Sequence, residues 1–212
     1  AVWQLLVYLA CLSVVILIRH RQSLWKRWLM MAGAVLILLV RPVGRLEITF
    51  LDVGQGDCIY VELPGKEKFL VDGGSSSVGS VGKYRILPFL KAKGVSEISY
   101  WFVSHTDTDH VSGLKEVSMG KQQGIRIGCL ILPDIGESSK GQGYRELEKA
   151  ASEADISLQY ISRGQYIQGK GALLECLHPA SGFESTDANA YSIALRLTSG
   201  SFTALLTGDL EG

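Results

Sequence analysis

Residues 104–110 are the most informative segment of this chain, and they read Ser104-His105-Thr106-Asp107-Thr108-Asp109-His110. A largely apolar run precedes them directly and predicts a buried β-strand. Alternate side chains of an extended chain lie on one face, so we expect His105, Asp107 and Asp109 to converge. A turn after Asp109 would bring His110 to the same point.

The composition of this segment favours a divalent metal site. Two imidazoles and two carboxylates supply borderline nitrogen and hard oxygen donors, which suit Zn²⁺ or Mn²⁺. Without a cation the two carboxylates would repel each other. A polar surface loop is the alternative. It is disfavoured because two of the chain's four histidines and two aspartates cluster within six residues of a sequence that is only 20% charged.

Strand-like and helix-like segments alternate around this loop. Several predicted strands are apolar along their whole length, as in sheets that are covered on both faces. The pattern therefore predicts a layered α/β or α+β domain. The predicted strands are 46–53, 58–63, 69–71, 98–103, 127–132, 157–161, 173–177, 192–197 and 202–206, and the predicted helices are 84–93, 113–119 and 144–154.

Three further acids, Asp57, Asp72 and Asp209, lie at the ends of predicted strands beside glycines. Strand ends are frequent places for functional residues, and a simple turn is the alternative interpretation for each acid. His178, also at a strand end, is either a further ligand or a hydrogen-bonded structural residue. The Gly/Ser-rich loop that follows Asp72 matches neither GxxxxGK[ST] nor GxGxxG, which argues against nucleotide binding. The absence of GxSxG argues against a serine hydrolase.

Residues 1–41 have the character of a membrane segment, with five basic and no acidic side chains. The apolar run 1–18 would cover about 27 Å of a hydrocarbon layer roughly 30 Å thick. A basic stretch, 19–27, separates it from a shorter apolar run, 29–40. We predict a transmembrane hairpin, with a surface helix or a buried core helix as alternatives for the second run. The basic stretch would face the cytoplasm and the remainder of the chain the outside.

Residues 42–212 carry 16 basic and 21 acidic residues, a net charge of −5. Affinity for nucleic acid usually comes from lysine and arginine, so this region does not supply it by bulk charge. The four cysteines are too far apart in sequence for a CxxC pair. Buried thiols are the simplest interpretation, and a disulfide between two of Cys58, Cys129 and Cys176 is the alternative for a domain outside the cytoplasm.

Five segments follow the apolar runs in this order: LDVGQGDCIYVE (51–62), FLVDGG (69–74), SHTDTDHVSGL (104–114), NAYSIALRL (189–197) and ALLTGD (204–209). Together they resemble the ComEC family of competence DNA-uptake channels. The resemblance covers residues 45–212 and implies a metallo-β-lactamase-like αββα sandwich, incomplete at its carboxyl end and preceded by the hydrophobic helical hairpin. The implied domains are 1–41 and 42–212.

The resemblance also implies a set of site residues. Asp109 would be catalytic as well as a ligand, because it is placed to accept a proton. Asn189 stands where many relatives have a ligand histidine. The cofactor would be a divalent metal, Zn or Mn, with two ions in the complete domain. The implied metal ligands are His105, Asp107, Asp109, His110 and Asp209, and the residues implied to orient them are Asp57, Asp72 and Asn189.

The function implied is that of an extracytoplasmic, metal-dependent phosphodiester hydrolase within a multi-pass cell-membrane DNA-uptake channel. It would degrade the DNA strand that is not transported. Its partners would be a single strand of incoming DNA, the membrane, other competence proteins and the rest of its own channel. Two alternatives stay open: a catalytically inactive module that binds or gates DNA, and a membrane-anchored hydrolase of another ester, such as a phosphocholine or lactam substrate.

Overall fold

The computed structural model describes residues 2–17, 44–119 and 124–211, together with seven positions between 25 and 35. The chain divides into two compact units, Ala1–Val43 and Gly44–Gly212.

The first unit contains helix α1, Val2–Leu17, which matches the first predicted apolar run. Most of the residues that join it to the second run, and most of that run itself, lie outside the described residues. In the parts of the chain that the structure describes, no helix combines the length and the apolar character needed to cross a membrane. A spanning hairpin is therefore not supported by the structure and stays a prediction.

The second unit begins with a six-stranded mixed sheet whose strand order follows the chain. The first three strands are antiparallel hairpin partners, and β3 to β6 run parallel. Parallel neighbours need crossover connections, which the helices supply. The strands are β1 (Glu47–Phe50), β2 (Ile59–Glu62), β3 (Lys68–Val71), β4 (Glu97–Phe102), β5 (Arg126–Pro133) and β6 (Ser157–Ile161).

Three helices contribute to an apolar layer on one face of this sheet. A π-helical turn, Gly82–Ile86, runs directly into α2. Along β4 the side chains alternate, so Trp101 packs in the cluster shared with the helices and Phe102 in the cluster between the two sheets. The helices are α2 (Leu87–Ala92), α3 (Thr108–Met119) and α4 (Gln142–Glu153).

A four-stranded antiparallel sheet, in the order β10-β9-β8-β7, packs on the other face. Its inward side chains, such as Leu195 and Leu197, meet Phe69 and Phe102 of the first sheet. This arrangement confirms the predicted layered α/β domain. All four cysteines are free, so the disulfide alternative is not observed. The strands are β7 (Tyr166–Gly169), β8 (Ala172–His178), β9 (Ala194–Ser199) and β10 (Phe202–Leu206).

Two elements differ most from the sequence prediction, while the other predicted strands and helices differ at most in their bounds. Strand β7 was not predicted, because its four residues include Gln168 and Gly169 and give no clear apolar alternation. Helix α3 begins at Thr108 rather than at Gly113. The backbone amides of His110 and Val111 donate to the Asp107 carbonyl, so the helix starts within the His/Asp segment. His110 therefore approaches the site from a helix and not from the end of an extended chain.

Candidate metal centre

The candidate site lies where strands of both sheets end. Strands β3 and β4 are parallel neighbours, so the residues after them, Asp72 and Ser104, emerge side by side. The Asp72 amide donates to the Phe102 carbonyl at 2.8 Å and extends the ladder by one step. Asp209 follows β10 of the second sheet. The site is therefore assembled from three separate parts of the sequence.

His110 is held between two carboxylates. Its Nδ1 lies 3.1 Å from Asp72 Oδ2, and its Nε2 lies 3.3 Å from Asp209 Oδ2. Asp72 is only 1% exposed, and its other oxygen accepts the Ser104 amide at 2.7 Å. An ionised carboxylate can only accept, so Nδ1 carries a proton. Nε2 is thus the atom left to bind a cation, beside Asp209.

His105 lies against His110, with their ring centroids 4.1 Å apart. Its Nδ1 is 3.1 Å from Ser104 Oγ and 3.2 Å from Ser192 Oγ. Its Nε2 is 3.7 Å from Asp107 Oδ2. Burial lowers the pKa of His105, and the neighbouring His110 lowers it further. His105 is therefore neutral near pH 7, as a metal-binding imidazole must be.

Two groups of three side chains bring donor atoms within 4.8 Å of one another in the described part of the chain. The first is His105, His110 and Asp209, which offers two imidazole nitrogens and a carboxylate oxygen, a donor set that suits Zn²⁺ and related ions. The second is Asp57, Asp72 and His110. Its Asp72–His110 hydrogen bond is the kind of contact that orients a metal ligand from behind. We therefore assign the first group to the cation and the second to its support.

The electrostatics of the site also suit a cation. Burial acts to lower the pKa of His110, but the hydrogen bond to Asp72 and the charges of Asp72, Asp209 and Asp109 outweigh it and raise that pKa to about 9. Burial and the Asp72 charge raise the pKa of Asp57. Nearby negative charge contributes to both shifts, with burial the larger cause for Asp57. A divalent cation would balance this negative charge.

Other residues predicted for the site occupy different positions. The Asp107 side chain is 57% exposed. Asp109 lies in the first turn of α3, where its carbonyl accepts the Asp57 amide at 3.2 Å. Neither carboxylate belongs to the two groups of three. Their proposed roles as ligands stay predictions.

Asn189 and His178 both have structural contacts. The backbone amide of Asn189 donates to the Asp187 carboxylate at 3.0 Å, and the backbone carbonyl of Asn189 accepts the Ser192 amide at the same distance. His178 Nε2 lies 2.8 Å from the Ala190 carbonyl, which can only accept, so this nitrogen carries a proton. A ligand role for His178 through Nε2 is therefore disfavoured, in agreement with the hydrogen-bonded alternative.

The two serines that contact His105 were not predicted. Ser104 directly precedes His105, but nothing about its residue type singles it out. Ser192 is 87 residues away in the chain, and no spacing rule connects the two. The available signal for Ser192 was its place within the segment NAYSIALRL, beside Asn189.

Comparisons with known proteins agree with this geometry. Residues 51–119, which include most of the site, match the metallo-beta-lactamase superfamily. The chain is 26% identical to ComE operon protein 3 of Bacillus subtilis (strain 168), over 97% of its own length and 28% of that protein's. It is 28% identical to Competence protein ComA of Neisseria gonorrhoeae, over 80% of its own length and 20% of that protein's. The chain is therefore similar to competence proteins of the ComEC family.

The chain spans less than a third of the length of either relative. Among solved structures it resembles CmlA, a diiron beta-hydroxylase from Streptomyces venezuelae, with a TM-score of 0.50 and 16% identity. The likeness covers 86% of this chain and 32% of CmlA. At that identity the likeness shows the fold alone, and with the superfamily match it confirms a metallo-β-lactamase-like fold.

Proposed function

We propose that residues 44–212 form a metal-dependent phosphodiester hydrolase that acts on DNA during competence. The observation that carries the proposal is the convergence of His105 and His110, from segment 104–110, with Asp209, which lies about 100 residues further along the chain. The competence names of the two relatives support the biological setting. The strand degraded would be the one that is not taken up.

Each residue of the site has a proposed task. His105, His110 and Asp209 would hold a divalent cation, Zn or Mn, and Asp72 would keep His110 in the tautomer that leaves Nε2 free. A bound divalent cation supplies Lewis-acid polarisation of a phosphoryl oxygen and makes water a stronger nucleophile near neutral pH. Asp107 and Asp109 flank this group in sequence, and we propose them as further ligands when two ions are bound.

Asp109 is also the proposed proton acceptor. Its carboxylate contributes to the raised pKa of His110, so its charge is felt within the site. Its backbone is anchored by the Asp57 amide, which holds the first turn of α3 in place. A carboxylate on an anchored helix turn is a suitable general base, provided that substrate and water reach it.

The charge of the domain makes DNA binding dependent on the cation. Residues 42–212 have a net charge of −5, and the site itself contains several carboxylates. A phosphodiester would be repelled from such a surface at low salt. We therefore expect the bound cation, together with other parts of the channel and other competence proteins, to provide the attraction that lysine and arginine usually supply.

We further propose that residues 1–41 associate with the membrane and that the hydrolase domain lies outside the cytoplasm. The described side chains of this unit include exposed large apolar residues, among them Leu6, Ile16 and Trp28, as expected of a segment that contacts lipid. The basic stretch 19–27 would remain cytoplasmic. Cysteines introduced singly at the exposed positions 76, 77, 79 and 80 should react with an impermeant reagent in intact cells, and labelling only after permeabilisation would contradict this orientation.

Activity should be tested with the full chain, after removal of metal and reloading with Zn²⁺ or Mn²⁺. Single-stranded DNA, a phosphocholine ester and a β-lactam are offered in parallel. We expect metal-dependent cleavage of DNA by the wild-type chain. Asp209→Ala should reduce this cleavage by more than roughly 10–100-fold, which is the usual effect of removing a residue that only orients a ligand. Asp109→Ala should abolish turnover as well. Glu153→Gln, at an exposed acid of α4, is the matched control and should cleave normally.

The alternatives give distinct results in the same assay. Metal-free folding with DNA binding and no cleavage identifies an inactive binding or gating module. Cleavage of the phosphocholine ester or the β-lactam in preference to DNA identifies a hydrolase of another ester. Normal DNA cleavage by Asp209→Ala would refute the assignment of the metal site.

A further inference from the structure

The two buried histidines of the site have chemically different partners behind them. His110 Nδ1 is 3.1 Å from the Asp72 carboxylate. His105 Nδ1 is instead within hydrogen-bonding distance of two hydroxyls, Ser104 Oγ at 3.1 Å and Ser192 Oγ at 3.2 Å. Both serines are fully buried, so water does not compete for these contacts. The orientation of His105 therefore depends on two neutral groups.

A pair of hydroxyls favours one tautomer of His105. If Nδ1 carries the proton, that N–H can be shared between both oxygens, because three-centre hydrogen bonds of this kind are common. If Nδ1 is bare, its single lone pair accepts from one hydroxyl only, and the second oxygen gains nothing from the imidazole. Ser104 Oγ also lies 3.4 Å from His110 Nδ1, a second N–H that it can accept. The geometry thus favours a protonated Nδ1 and a bare Nε2.

Backbone contacts fix Ser192 in place. A short 3₁₀ turn, Asn189–Tyr191, precedes it, and its amide donates to the Asn189 carbonyl at 3.0 Å. The amide of the next residue, Ile193, donates to the Ser104 carbonyl, also at 3.0 Å. The start of β9 is therefore tied directly to the segment that carries His105. The Ser192 hydroxyl reaches His105 because of this backbone pairing.

We propose that Ser192, together with Ser104, is a positioning residue that keeps Nδ1 of His105 protonated and presents its Nε2 to the cation. This inference rests on the proposed metal centre but concerns a residue outside the ligand set. Residues that orient metal ligands in this way typically change metal affinity by 10–100-fold when they are removed. Ser192 would act through His105 and would not touch the substrate.

The test uses the full chain and the variant Ser192→Ala. Zn²⁺ affinity is measured by competition with a chromophoric chelator. The tautomer of His105 in the metal-free protein is read from two-bond ¹H–¹⁵N correlations of the imidazole. We expect Ser192→Ala to weaken Zn²⁺ binding by about 10–100-fold and to increase the Nε2–H tautomer. Ser162→Ala, at another buried serine, is the matched control and should change neither measurement.

The outcomes separate this inference from the proposed function. A wild-type chain that binds no Zn²⁺ refutes the metal centre. A wild-type chain that binds Zn²⁺ while Ser192→Ala matches it in affinity and tautomer refutes the role of Ser192. The wild-type spectrum is decisive even if the variant does not fold, because His105 found mainly as the Nε2–H tautomer would overturn the inference.

Discussion

Replacing Gly74 with alanine should disturb the site directly. A Cβ at this position would lie 2.4 Å from the Asp109 carbonyl carbon and 2.5 Å from the His110 amide nitrogen. An ordinary contact between such atoms is about 3.5 Å, so the first turn of α3 would have to move by about 1 Å. Both neighbours are backbone atoms, so no side-chain rotation relieves the clash.

The size of the effect follows from this displacement. Overpacking of a well-packed region typically costs about 1–3 kcal/mol, which we expect as the loss in free energy of unfolding. Metal binding should suffer more, because ligands must be held to within roughly 0.5 Å of their productive geometry. A shift of about 1 Å in His110 exceeds that tolerance, so we expect Zn²⁺ affinity to fall at least as far as it does on loss of a support residue, about 10–100-fold.

Gly79 provides a matched control in the same loop. A Cβ there has no atom within 4 Å, and its φ lies outside the left-handed region that disfavours alanine. Gly79→Ala should therefore be neutral or stabilising by about 0.4–1 kcal/mol. Urea unfolding of the metal-free proteins and Zn²⁺ titration measure the two effects. If Gly74→Ala matched the wild type in both measurements, the close approach of residue 74 to the α3 turn would be refuted.

Three further outcomes are expected. Asp72→Asn keeps an acceptor for the Ser104 amide but loses the charge behind His110, so Zn²⁺ affinity measured by calorimetry should fall about 10–100-fold with an unchanged circular dichroism spectrum; equal affinity would contradict the support role. The pKa of His110 is raised to about 9, so its protonated imidazole stabilises the folded metal-free protein. In urea unfolding, this contribution to the free energy of unfolding should be complete below pH about 6.5 and absent above pH about 9. A flat profile over that range would count against the His110–carboxylate contacts. Burial raises the pKa of Cys58, so iodoacetamide should modify this thiol only after unfolding, as mass spectrometry of digested protein can show; rapid modification of the native chain would contradict its burial.

The fold class could be predicted from the sequence because strands that contribute to the core contain recognisable apolar runs. Apolar runs such as those of β4 and β5 lie largely within the core, and the predicted bounds of β6 and β10 coincide with the observed ones. Strand β7 has no such apolar run, since its side chains are mostly exposed and it ends in Gly169. Local pattern therefore located the strands that contain apolar runs, including the largely exposed edge strands β6 and β10, and missed β7, which lacks such a run.

The geometry of the His/Asp segment follows less directly from its local sequence than the positions of the strands do. Alternation along an extended chain led to the expectation that His105, Asp107 and Asp109 converge. The helix begins at Thr108, so the alternation ends there and Asp107 is left largely exposed. A helix start depends on which backbone groups find partners, and here the Asp107 carbonyl accepts two amides of the first turn.

The sequence by itself determined which chemistry is available, because imidazoles and carboxylates near strand ends are visible as residue types and short spacings. Only the tertiary structure decided which of them meet. Asp72, His110 and Asp209 come from separate strands and a helix, and Ser192 reaches His105 across 87 residues. Contacts over such separations are set by sheet register and by the packing of the two sheets, and these depend on the whole core.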